Sequence, residues 1–223
     1  MATILVTGAN RGIGLALTRL YRSRGDEVIA VCRHASPELE ACGARIEAGI
    51  DVTDAAALAA LPQRLGDTRI DVLVLNAGVF TDERLDALDA AAFAAIERQF
   101  AVNTLGPLRV VEALLAHLAD GGRIGIVTSR MGSISDNGSG GYYGYRASKA
   151  AVNAVGKSLA IDLAPRGIAV FLLHPGFVST DMVGGKGEIS PEESARGLVA
   201  RLDTLPQRDS GSFWHANGTP LPW

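Results

Sequence analysis

Tyr145 and Lys149 lie four residues apart in Tyr145-Arg146-Ala147-Ser148-Lys149. On a helix that spacing puts both on one face, a turn apart. A free tyrosine hydroxyl titrates at about 10, too high for an efficient base at neutral pH. An ammonium a few ångströms away would favour the phenolate and lower that value. Such a pair could protonate an alkoxide or deprotonate an alcohol. Ser129 ends an apolar run and can donate its hydroxyl to a carbonyl oxygen beside Tyr145; Ser133 and Ser135 follow in the same loop as rival candidates. Asn103 interrupts a helical stretch and is followed by Gly106-Pro107, which predicts a kink. A proton relay to Lys149 is one role for it, and a tolerated polar residue at a bend is the other.

A second group faces a different task. Thr7-Gly8-Ala9-Asn10-Arg11-Gly12-Ile13-Gly14 follows the apolar run Thr3–Val6 and precedes a helical pattern. Glycines there allow a tight turn and close backbone approach, while the helix N-terminus offers unpaired N–H groups to a pyrophosphate. A glycine triplet alone is a turn signal. Between a strand and an amphipathic helix it predicts a dinucleotide site, through Gly8, Asn10, Arg11, Gly12, Ile13 and Gly14. An NAD site usually has an Asp or Glu at the end of the second strand. Here Cys32 and Arg33 stand there. Arg33 can pair with a 2′-phosphate, helped by Arg11, so the expected cofactor is NADP(H). Asp51, with Val52, is placed to accept from the adenine amino group, or is a turn residue in Asp51-Val52-Thr53-Asp54. The oxidised nicotinamide would add positive charge beside Tyr145, and Lys149 could also hold its ribose.

These side chains need a scaffold that brings them to one edge. Apolar runs predict strands at Thr3–Val6, Val28–Cys32, a third ending near Asp51, Val72–Leu75, Arg123–Thr128, Ile168–Leu173 and around Ser212–His215. Helical patterns run from Gly12 to Arg24, from a Thr53 or Asp54 cap to Leu65, from Asp89 to about Ala119, from Tyr142 to Leu163, and onward from Ser190-Pro191. Alternating βα units with near-continuous apolar strands predict one α/β domain over residues 1–223. It is a Rossmann-type doubly wound parallel sheet of about seven strands, with a cofactor half over about 1–120 and a catalytic half over about 121–223. Ligands bind such sheets at the carboxyl ends of the strands, where Gly8, Arg33, Asp51 and Ser129 fall.

Composition excludes several function classes. At 48% hydrophobic and 20% charged, the 223 residues suit a single buried core. A net charge of −3 provides no basic field for nucleic acid. Cys32 and Cys42 form neither a CxxC nor a Cys/His array, so no disulfide framework and no metal site are expected. The start lacks a signal-peptide pattern, and apolar stretches such as Ile168–Leu173 are far too short to cross a bilayer. A cytoplasmic protein without a membrane partner is expected. A hydrolase built on Ser129 is the weaker reading. Thr128-Ser129-Arg130 lacks the G-x-S-x-G form, and His174 before Pro175 reads as structural.

Together these residues resemble the classical short-chain dehydrogenase/reductase family over essentially the whole chain. Thr7-Gly8…Gly12-Ile13-Gly14 is similar to its cofactor motif, and Asn76-Ala77-Gly78 to its sheet-stabilising fourth-strand motif. Asn103, Ser129, Tyr145 and Lys149 resemble its catalytic tetrad. Pro175-Gly176-Phe177-Val178-Ser179-Thr180-Asp181 resembles its Pro-Gly segment, which implies that Val178 meets the nicotinamide carboxamide and Thr180 the phosphates. Ser129–Ile134, Gly141–Lys149 and the ending from Ser190 to Leu221-Pro222-Trp223 look like the branch of C-factor proteins and sniffer-type carbonyl reductases. The resemblance implies NADP(H)-linked chemistry on a small carbonyl or alcohol substrate. It also carries a second reading, an intercellular signalling or dinucleotide-binding protein. Two departures stand out. The 16-residue gap from Ser129 to Tyr145 is longer than the family commonly has, and Met182–Ile189 leaves little room for a helical substrate lid. An open, less selective site is expected. The two long helices commonly pair as a homo-oligomer interface in this family, and the glycine-rich insertion could obstruct that pairing; dimer, tetramer and monomer all stay open.

Overall fold

Residues of β-branched and aliphatic type fill the strands, and in the computed structural model, which describes Met1–Trp223, seven of these strands form one sheet. They are β1 (Thr3–Thr7), β2 (Glu27–Val31), β3 (Arg45–Glu47), β4 (Ile70–Leu75), β5 (Leu118–Val127), β6 (Ala169–His174) and β7 (Ser212–His215). Their order is β3-β2-β1-β4-β5-β6-β7, every pairing parallel. The seven helices are α1 (Gly12–Ser23), α2 (Pro37–Glu40), α3 (Ala55–Leu65), α4 (Ala90–Gln99), α5 (Gly106–Leu114), α6 (Tyr143–Asp162) and α7 (Pro191–Thr204). Successive strand residues point to opposite faces. Leu5, Ile29 and Val31 therefore enter one core with side chains of α3, α5 and α6, while Ile4, Val6, Val28 and Ala30 enter the other with α1 and α7. This is a doubly wound Rossmann-like sheet. The chain runs outward in both directions from the β1–β4 boundary, so the crevice for a ligand opens at their carboxyl ends.

Three boundaries differ from the sequence pattern. The third strand stops at Glu47 rather than near Asp51, because Gly49 at φ 80° turns the chain out of the ladder. The helix expected to reach Ala119 ends at Leu114, and β5 begins at Leu118, before the expected Arg123. Its first residues pair with Ile70 across a register shift, which hides them from a simple apolar-run reading. Between α4 and α5, residues Phe100–Leu105 form a π-helical segment that contains Asn103. No helix is long and apolar enough to cross a membrane.

Candidate active site

The glycine turn between β1 and α1 is built by close packing. Gly8 and Gly12 have φ values of 66° and 52°, in the left-handed region that side chains avoid. A Cβ on Gly8 would also lie 2.9 Å from the Ala77 Cα, and one on Gly14 would strike the Gly8 carbonyl. Asn76 fastens the ends of β1 and β4, its Nδ2 donating to the carbonyls of Thr7 (3.1 Å) and Gly8 (3.2 Å). Thr7 Oγ1 accepts the N–H groups of Asn76 and Ala77. No side chain caps the start of α1, so its first N–H groups face the crevice without a protein acceptor. Beside them opens a cleft of about 630 Å³. An uncapped helix start, a backbone cradle and a cleft of this volume fit a dinucleotide.

The cleft collects nearly every residue expected at the cofactor: Gly8, Asn10, Arg11, Gly12, Ile13, Arg33, Asp51, Val52, Asn76, Ala77, Gly78, Tyr145, Lys149, Pro175 and Thr180 line it. Gly14, Gly176 and Val178 do not. Gly14 backs the turn, Gly176 (φ 91°) bends the chain, and buried Val178 bridges to Ile189. Arg33 Nη1 stands 3.9 Å from Asp51 Oδ2, and Arg98, which the spacing gave no reason to choose, joins them at this end of the cleft. Burial pushes the Asp51 carboxyl up, but hydrogen bonds from the Thr53 N–H and hydroxyl, with Arg33 and Arg98 nearby, hold it below the usual carboxylate range. Arg11 reaches Asp181 across the cleft at 3.3 Å, so in this arrangement it spans the opening rather than joining Arg33. After Asp181 the chain makes one short turn and returns. Ser179 N–H donates to the Ile189 carbonyl and Glu188 N–H to that of Phe177, so no helical lid forms.

At the other end, α6 places Tyr145 and Lys149 on one face. Lys149 is 4% exposed, donates from Nζ to the Val127 carbonyl at 2.9 Å, and lies 5.7 Å from the centre of the Tyr145 ring. Burial pulls its ammonium down from 10.5 to about 8. The expectation that Lys149 lowers the tyrosine is not met here. Burial pushes the Tyr145 phenol up, and a hydrogen bond with Ser129 opposes it. The ammonium meets the ring and a carbonyl, not the hydroxyl.

Ser129 caps a short turn at the end of β5, accepting the Met131 N–H at 3.1 Å. Ser133 and Ser135 are not free: both hydroxyls donate to the Trp223 main-chain oxygen, at 3.0 and 2.8 Å. Trp223 itself stacks on Phe213. The Asn103 side chain makes no direct hydrogen bond to Lys149. Oδ1 accepts the Val79 N–H (2.8 Å), and Nδ2 donates to the Val79 carbonyl (2.9 Å) and Ser148 Oγ (3.1 Å). Asn103 fixes the loop after β4 at Val79, and the next residue matters: Phe80 meets Tyr145 edge-on at 5.0 Å. Phe80, Glu83 and Arg98 were invisible to motif reading because nothing in their spacing marks them. Half-buried His174, expected to be structural, sits edge-to-face on His215 and is pulled down to about 3, mainly by burial.

Residues 2–189 match the family described as short chain dehydrogenase. The chain belongs to the short-chain dehydrogenase family. Along its full length it is 43% identical to the full-length 1-hydroxy-2-glutathionyl-2-methyl-3-butene dehydrogenase of Rhodococcus sp. (strain AD45). It is 44% identical to C-signal of Myxococcus xanthus over 69% of this chain and 93% of that protein. Among solved structures, the carbonyl reductase Sniffer of D. melanogaster superposes with a TM-score of 0.90 at 30% identity, covering all of both chains. A carbonyl reductase of Pseudomonas aeruginosa PAO1 in complex with NADP superposes at 0.85 with 33% identity and the same coverage.

Proposed function

We propose that this short-chain dehydrogenase is an NADPH-dependent carbonyl reductase. The observation that carries the reading is the single cleft running from an uncapped helix start, past Arg33 in place of an acid, to Tyr145 and Lys149. NADPH, when bound, supplies the hydride. The chain's own residues do the rest. The glycine turn and α1 hold the pyrophosphate, Arg33 receives the 2′-phosphate, and Lys149 anchors the ribose at the reacting end. Ser129 donates a hydrogen bond to the substrate carbonyl oxygen, and Tyr145 delivers the proton that completes the alcohol. A phenol held above its ordinary value stays protonated at neutral pH, which suits a proton donor and hence the reductive direction. The short return after Asp181 leaves the substrate side open, so several aldehydes, diketones or quinones are accepted.

The test follows NADPH absorbance with such a panel, and alcohol oxidation with the hydroxy compound for which the Rhodococcus relative is named. Tyr145→Phe is expected to lower kcat by roughly 100-fold or more while NADPH binding is retained. A mutant as active as wild type overturns the assignment of the acid. The likeness to C-signal supports a second reading, a signalling protein that keeps the dinucleotide site. Tight NADPH binding with no turnover of any panel member would favour it.

A further inference from the structure

Glu83 is 4% exposed and has no cationic partner. Its carboxylate is surrounded by neutral donors instead. Gln99 Nε2 donates to Oε1 at 2.6 Å, the Thr81 hydroxyl donates to the same oxygen, and the Gly144 N–H donates to Oε2 at 3.1 Å. The Glu83 main-chain carbonyl accepts the Tyr142 N–H at 3.2 Å. Side chain and backbone of one residue therefore hold the first turn of α6, immediately before Tyr145.

That turn needs an outside partner. Tyr142, at its N-cap, adopts φ 53° and ψ 43°, and its side chain makes no capping bond. Unsatisfied N–H groups at a buried helix start cost stability, and a carboxylate there is favoured by the helix dipole. Glu83 answers both requirements from another part of the chain. Its own loop is fixed in turn: Asn103 binds both backbone groups of Val79, and Gln99 Oε1 accepts the Thr81 N–H at 3.2 Å. Phe80 in the same loop packs on Tyr142 and edge-on against Tyr145. Only glycine fits at 144 in this packing, since a Cβ there would strike Gln99 Nε2 and lie 3.0 Å from the Ile96 Cα.

We infer that Glu83 is a positioning residue for Tyr145, setting the first turn of α6 and with it the placement of the phenol against Ser129. The inference rests on the reading of Tyr145 as proton donor. Glu83→Gln keeps the size, but one amide oxygen cannot serve donors on both sides, and its NH2 must face a donor. With phenanthrenequinone and NADPH, kcat of Glu83→Gln is expected to fall by roughly 10- to 100-fold, while the NADPH Kd moves less than about twofold, since the variant leaves the glycine turn and Arg33 untouched. Amide exchange over residues 142–146 of the cofactor-free protein is expected to accelerate about tenfold, with the sheet unchanged. A merely structural role would instead lower NADPH-binding capacity and activity together. Unchanged kcat, or unchanged exchange at 142–146, overturns the inference. The exchange arm needs no turnover, so an inactive wild type sinks the reductase reading and leaves the clamp to be judged by exchange. If Glu83→Gln fails to fold, Gln99→Met removes one donor to Oε1 and carries the same pair of outcomes.

Discussion

Arg33 shows what one residue decides. Its side chain is 58% exposed, with the guanidinium 3.9 Å from Asp51, free to turn toward a phosphate at the rim of the cleft. Arg33→Asp replaces an attraction with a repulsion, and a charge-assisted hydrogen bond contributes about 1.5–3 kcal/mol. The NADPH Kd is therefore expected to rise by about 10- to 100-fold with little change for NADH, which a fluorescence titration with both cofactors would measure. Equal weakening of both cofactors would show that Arg33 does not read the 2′-phosphate. At this scale much was legible. Tyr145 and Lys149 share a spacing, and Gly8, Gly12 and Arg33 stand at the ends of apolar runs. The direction of the Tyr145 shift was not legible, because it follows from burial and from where the Lys149 ammonium points, and neither is a property of spacing.

Elements carry those residues into register by contacts that leave small residues in the sequence. Gly132 follows Ser129 in the short turn, and a Cβ there would stand 2.7 Å from the Lys149 carbonyl carbon and 3.0 Å from the Ala150 nitrogen. The turn can touch α6 only without a side chain. Gly132→Ala is expected to destabilise by about 1–3 kcal/mol and to lower kcat by pushing Ser129 away from Tyr145. Thermal unfolding alongside phenanthrenequinone reduction would separate the two losses. Neutral behaviour in both would mean that the turn moves freely. The run of helix from Asp89 was legible as helix, and Asn103 with Gly106-Pro107 marked a kink in it, but the form of the break was not legible. The π-helical turn over Phe100–Leu105 answers to packing: Thr104 Oγ1 donates to the Ser148 carbonyl and Asn103 reaches Val79 and Ser148.

The molecule as a whole registers the buried cation. Below pH of about 8 both the folded and the unfolded chain hold the Lys149 proton, and the folded state bears the full penalty of burying it. Above that value the folded chain releases the proton first, while the unfolded chain keeps it up to 10.5, so stability rises with pH in this window. Tyr145, raised above 10.0, works the opposite way at higher pH, which confines the clean window to about pH 8–10. Over that range wild type is expected to gain on the order of 2 kcal/mol relative to Lys149→Met. A difference in denaturant stability that stays flat with pH would contradict the shift. The parallel sheet itself was legible from alternating runs and helices. Its order at the ends was not, since β3 has three residues and β7 four, too short for periodicity to speak.

The segment that ends in Trp223 has a bearing on solubility. β7 is the last strand of the sheet, and an open strand edge invites pairing with other molecules. The chain folds back over that edge. The Leu221 N–H donates to the Phe213 carbonyl and the His215 N–H to that of Thr219, before Trp223 reaches Ser133 and Ser135. One stretch thus shields a sticky edge and moors the loop beside Ser129. Removing residues 219–223 would expose the edge and release the loop together, coupling self-association to loss of turnover. Trp223→Ala, which leaves the two backbone bonds on β7 in place, would loosen the mooring while light scattering stays that of the intact protein.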